Sequence, residues 1–144
     1  MPADAFYEWR PSKRSSAARP PRQPYLVRRR DGEPLAFAGL WEIWRDETVP
    51  DPDAPDAWLR SCTIVTTRAN AVLEPIHHRM PVVLDEHVWD EWLDPAADDL
   101  ASLAAMLHPA PDEWFDVYPV SSRVNTPDNN DAELVQPVPA DTLL

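Results

Sequence analysis

Eighteen prolines stand against two glycines, where average usage would give roughly 7 and 10. That imbalance constrains the chain more than any motif. Proline fixes φ and lacks a donor, so it confines strands to short runs between turns and shortens helices. With so little glycine, turns must be made by Pro, Asp and Asn. The expectation is an α+β domain of mainly antiparallel strands with two or three short helices. A length of 144 residues allows one such domain. The seven Trp, three Tyr and three Phe are enough to give it a core.

Aromatic and β-branched runs place the strands. Residues 4–9 read as a strand and 10–24, with four prolines, as an exposed loop. Tyr25–Arg30, Asp31-Gly32 and Pro34–Trp44 form a strand, turn, strand pattern, read as a hairpin. Residues 46–57 form an acidic loop. Leu59–Thr67 reads as a central strand that buries Cys62 as a core thiol. Ala69–Leu73 reads as a helical turn and Pro81–Leu84 as a strand. Asp85 caps a helix over Glu86–Leu93, with Val88, Trp89, Trp92 and Leu93 on one face. A second helix spans Asp98–Leu107. Trp114–Val120 and Glu133–Val138 read as the last strands, so the domain occupies 1–138 and 139–144 form a loose tail.

The net charge is −12, but it is unevenly spread. Residues 1–30 hold eight basic groups against two acidic ones, a balance of +6. The remainder carries five against twenty-three, or −18. A local basic stretch can hold phosphates whatever the total charge. No apolar run approaches a membrane span and no basic-then-apolar leader opens the chain, so a cytoplasmic, monomeric protein is expected. One cysteine excludes an intramolecular disulfide and a Cys-rich zinc site, and no metal or cofactor is expected.

Chemistry-bearing residues are few. Glu8 sits between Tyr7 and Trp9, a setting in which a carboxyl can serve as general acid or base. The alternative is a glutamate that strand alternation turns to solvent. His77, His78 and Arg79 form a compact polar cluster suited to proton transfer and phosphate binding, or to a purely structural role. Glu74 and His77 have the Glu-x-x-His spacing of di-iron bundles, but one copy beside a proline does not make that site. The Val120–Asn125 stretch offers hydroxyls, Arg123 and an amide, either for a phosphate or for a capped turn.

Taken together, these segments resemble the SOS response-associated peptidase (SRAP) family of abasic site processing proteins. The resemblance is carried by Pro2-Ala-Asp-Ala-Phe-Tyr-Glu-Trp9, Gln23-Pro-Tyr25, Asp31-Gly32 and Phe37-Ala-Gly-Leu-Trp41. It continues in Thr63-Ile-Val-Thr-Thr67, Ile76-His-His-Arg-Met-Pro81, Pro119-Val-Ser-Ser-Arg-Val-Asn125 and Glu133-Leu-Val-Gln-Pro137. It implies an SRAP-like fold and binding of single-stranded DNA that carries an abasic site. It further implies a covalent DNA–protein crosslink, with self-processing peptidase and lyase activity. Glu8 and His77 match the family's catalytic glutamate and histidine, and Trp9, Thr66 and Arg79 match positions near its DNA surface. The sequence departs from the family at position 2, which is Pro rather than the nucleophilic Cys. The family's N-terminal part has no counterpart, so the chain is expected to be the C-terminal portion of the domain. A non-catalytic module that binds single-stranded DNA is the alternative.

Overall fold

The computed structural model describes residues 1–11 and 22–139. It is an α+β arrangement of short antiparallel strands. In chain order these are β1 (Pro2–Ala3), β2 (Ala5–Pro11), β3 (Arg22–Arg29), β4 (Leu35–Ala36), β5 (Gly39–Arg45), β6 (Trp58–Ile64), β7 (Thr66–Arg68), β8 (Arg79–Pro81) and β9 (Phe115–Pro119). Two helices, α1 (Trp89–Leu93) and α2 (Leu100–Ala105), lie between β8 and β9.

The central unit is a three-stranded sheet in the order β2-β3-β9. Glu8 pairs with Tyr25, and Tyr25 with Pro119. Strand alternation therefore sends Phe6, Glu8, Tyr25, Val27 and Val117 to one face and Tyr7, Trp9, Leu26 and Tyr118 to the other. The first face meets the core of Leu35, Phe37, Leu73, Ile76, Met80, Val83 and Phe115. Phe6 and Phe37 meet there edge to face at 5.7 Å. Each such buried side chain contributes about 1.5–3 kcal/mol over its exposed state. A smaller cluster of Ala38, Val82, Leu84 and Met106 packs under Val65, Trp92, Leu103 and Leu107.

Several expectations need correction. Asp31-Gly32 does make a turn, with Gly32 at φ 85°, but the flanking strands do not pair. β3 pairs with β2 and β9, whereas β5 pairs with β6. The run 34–44 is broken into β4 and β5, because Phe37 bridges to Val83 instead of continuing the strand. The expected loop is strand at both of its ends, Arg10–Pro11 and Arg22–Pro24; residues 12–21 lie outside the described part. Leu59–Thr67 is no central strand. β6 forms a two-stranded hairpin with β5 and is exposed along its length, and Cys62 is exposed with it. The strand expected at Glu133–Val138 is instead a 3-10 turn over Ala132–Val135, followed by a single bridge between Pro137 and Val120. The tail expected over 139–144 lies outside the described residues from 140 onward.

The helix caps follow the sequence closely. The Asp85 carboxylate accepts the His87 N–H at 3.0 Å, and Asp99 accepts from Ala101 and Ser102 at the start of α2. The expected apolar face of the first helix is split. Val88 and Trp92 pack inward, whereas Trp89 and Leu93 are exposed.

Candidate functional site

Glu8 reaches the site because β2 alternates and its core-facing side ends in polar residues. Phe6 is packed, Glu8 is about one-fifth exposed, and Arg10 lies over the Tyr25 ring at 4.9 Å. The β3 partner of Glu8 is that same Tyr25. A carboxylate there stands at the rim of the core, in partial contact with water.

Across from it lies His77, just before β8. The turn ahead of it is closed by the Ile76 and His77 N–H groups donating to the Leu73 carbonyl, while Leu73 and Ile76 are buried. That anchoring delivers the imidazole to the rim, where Nδ1 is 3.8 Å from Glu8 Oε1. The other carboxylate oxygen, Oε2, accepts the Trp9 N–H at 3.3 Å. His77 Nδ1 also lies 2.9 Å from the Arg79 carbonyl. The Arg79 N–H lies 3.3 Å from the same Nδ1, so this nitrogen has a backbone partner in either tautomer; the tautomer with the proton on Nδ1 serves the carbonyl, faces the carboxylate and leaves Nε2 as the basic nitrogen. The His78 ring packs beside that of His77 at 4.6 Å.

Arg79 and Thr66 face each other across the β7–β8 pair. The Arg79 guanidinium donates to Thr66 Oγ1 from Nε at 3.0 Å and to the Thr66 carbonyl from Nη2 at 2.8 Å. Both side chains are exposed, and among the described residues Nη1 keeps its donors for another acceptor. Four of the five candidate residues, Glu8, His77, Arg79 and Thr66, thus form one connected cluster. The carboxylate and imidazole face each other directly, and the link to Arg79 runs through its backbone, with the guanidinium turned to Thr66.

Trp9 is not part of that cluster. Its indole stands on the opposite face of β2 and donates to Asn125 Oδ1 at 2.7 Å. Tyr7 and Tyr118 on the same face donate to the carbonyls of Leu134 and Val135. Arg123, read as a phosphate ligand or part of a capped turn, pairs with Asp131 and Glu133, and Ser121 caps the Ser122–Asn125 turn. Three of the eight basic groups of the N-terminal stretch, Lys13, Arg14 and Arg19, lie outside the described residues. Of the others, Arg28 and Arg29 are paired with Asp116 and Asp31. The Arg10–Tyr25 stack at the rim had no sequence signal, because the partners meet only through strand pairing.

A family model described as SOS response associated peptidase (SRAP) matches residues 1–127. The chain is 37% identical to abasic site processing protein YoqW of Bacillus subtilis, over 94% of this chain and 55% of the relative. It is 31% identical to abasic site processing protein HMCES of Pongo abelii, over 94% of this chain and 42% of the relative. A crystal structure of a Bacteroides thetaiotaomicron protein superposes with a TM-score of 0.79 at 25% identity, covering 96% of this chain and 55% of that one. The chain spans about half the length of the curated relatives it matches.

Proposed function

The chain belongs to the SOS response associated peptidase family, and on that footing we propose that it recognises abasic sites in single-stranded DNA and moves protons at the opened sugar. The observation that carries this reading is the opposition of Glu8 and His77 at 3.8 Å, beside the Arg79–Thr66 fork. Arg79 would hold a backbone phosphate through Nη1, its other donors being fixed by Thr66. An abasic site opens to an aldehyde, which acidifies the neighbouring C2′–H. His77 Nε2 takes that proton as the C3′–O bond breaks and the 3′ phosphate departs. The Glu8 carboxylate stabilises the imidazolium so formed. The lyase and self-processing activities implied by the family resemblance fall to the same pair.

Trp9 serves in this reading as a stacking surface on the far side of the edge strand β2, for a base of a DNA strand that crosses it. A second reading is binding without catalysis, favoured by the exposed Arg79 guanidinium that Thr66 holds in place. A single-stranded oligonucleotide with one abasic site separates the two. The first reading expects tight binding and strand scission that Glu8→Gln and His77→Ala abolish. Binding with no scission leaves the second reading. No preference for the abasic strand over an intact one overturns both.

A further inference from the structure

The two-stranded β7–β8 ribbon carries a charge pattern that none of the roles given so far uses. Its strands are antiparallel, with Thr66 opposite Pro81, Thr67 opposite Met80 and Arg68 opposite Arg79. Directly opposed residues share a face, so Thr66, Arg68 and Arg79 lie together, and all three are exposed. Thr67 and Met80 turn the other way, and Met80 is buried in the core. Two guanidinium side chains therefore leave one face of the ribbon from adjacent positions, with Cβ atoms about 5 Å apart.

Like charges directly opposite each other across a strand pair are destabilising. The chain has 25 acidic residues against 13 basic ones, so a compensating carboxylate would be easy to place. Elsewhere one is placed: Arg28 holds Asp116, Arg29 holds Asp31, and Arg123 holds Asp131 and Glu133. Among the described residues neither Arg68 nor Arg79 pairs with an acid. Arg79 is nonetheless fixed, because Thr66 occupies its Nε and Nη2. A held guanidinium beside a second one, both short of an acceptor, matches the oxygens of a phosphate, which can take a planar fork from each side.

We propose that Arg68 and Arg79 clamp one phosphate group between them, Arg68 through its fork and Arg79 through Nη1. The Arg79 carbonyl also meets His77 Nδ1 at 2.9 Å, so the first residue of β8 joins the clamp to the Glu8–His77 pair. The phosphate comes from a DNA strand, either as an internal diester or as a terminal monoester. Its place on DNA rests on the reading of the Glu8–His77 site given above, whereas phosphate binding itself rests on the two arginines alone.

Inorganic phosphate titrated into the whole chain, with ionic strength held constant by chloride, is the first test. The NMR signals of the Arg68 and Arg79 guanidinium groups should move together on one binding curve. Arg68→Gln should abolish the movement at Arg79 without lowering the melting temperature, since it relieves a like-charge contact. Signals that stay still, or that move as far in Arg68→Gln, overturn the clamp.

Single-stranded DNA is the second test. Arg68→Gln should weaken binding about tenfold, the scale of a lost charge-assisted hydrogen bond. Adding Arg79→Gln should cost little more, because both arms serve one phosphate. The plot of log affinity against log salt should flatten by about 0.7 in the double variant, whereas a change of about 1.4 means two separate phosphates and overturns the clamp. A 5′-phosphorylated strand compared with a 5′-hydroxyl strand identifies the source. An advantage that Arg68→Gln removes assigns the terminal monoester, and equal affinity assigns the internal diester. DNA binding that Arg68→Gln leaves unchanged overturns the clamp's use on DNA. Phosphate held by both arginines, with no binding of single-stranded DNA, upholds the clamp and overturns the reading of the neighbouring pair as a DNA site.

Discussion

The Glu8 carboxylate and the His77 imidazole face each other at 3.8 Å, one brought by the central sheet and the other by the turn before β8. Neither element alone makes a proton-transfer unit. Replacing Glu8 by Gln removes the charge that favours the imidazolium and keeps the shape. Scission of abasic single-stranded DNA should fall by about 10²–10⁴-fold with either Glu8→Gln or His77→Ala. Affinity for the oligonucleotide should stay within twofold, and fluorescence anisotropy beside a gel assay reads both.

Thr66 holds Arg79 through its hydroxyl and its carbonyl. Thr66→Val removes the hydroxyl acceptor and leaves the guanidinium held by the carbonyl alone. DNA affinity should drop by about 1 kcal/mol, the scale of one ordinary hydrogen bond. Thr66→Ser should restore it.

Trp9 and Asn125 can be separated by a pair of variants. Asn125→Ala breaks the 2.7 Å indole bond but keeps the ring. It should cost about 0.5–1 kcal/mol of stability in urea unfolding and leave DNA affinity unchanged. Trp9→Ala removes the stacking surface as well and should weaken single-strand binding by about 1–3 kcal/mol.

The Arg29 guanidinium holds the Asp31 carboxyl at about 2, helped by the Glu33 N–H, against an ordinary value of 3.8. A depressed carboxyl adds stability above its unfolded value and loses it as pH falls through the folded one. The contribution of this turn is therefore complete above about pH 4 and is lost towards pH 2. Following the Asp31 side-chain carbon by NMR should show that titration, and Arg29→Gln should return it to the ordinary range.

Cys62 lies on the exposed hairpin. Its thiol should react with a maleimide in the native chain nearly as fast as in urea. Cys62→Ser should shift stability by no more than about 0.5 kcal/mol.

Local chemistry was legible in the sequence, and partnership was not. The aromatic alternation of 4–9 marks β2, and Asp85 marks the cap it makes, because both signals lie within a few residues. The connection of Glu8 to His77 was readable only through family resemblance, since no short spacing links them. Asp31-Gly32 correctly predicts a turn, yet says nothing of which strands pair. β3 lies between β2 and β9, where Tyr25, Leu26 and Val27 are buried. Cys62 was misplaced for a related reason. A β-branched run reads as buried in any strand, but β6 is exposed along its length.

Because Glu8 and Trp9 are neighbours on one strand, they point to opposite sides of the sheet. Their roles are separated by parity alone. Gaining or losing one residue between the β1 anchor at Pro2–Ala3 and Glu8 would exchange the two sides and bury an indole where the carboxylate stands. A single substitution in this segment leaves that parity intact, whereas a change of its length by one residue does not. A reading-frame-preserving deletion of one codon there would do more harm than most side-chain replacements in the molecule.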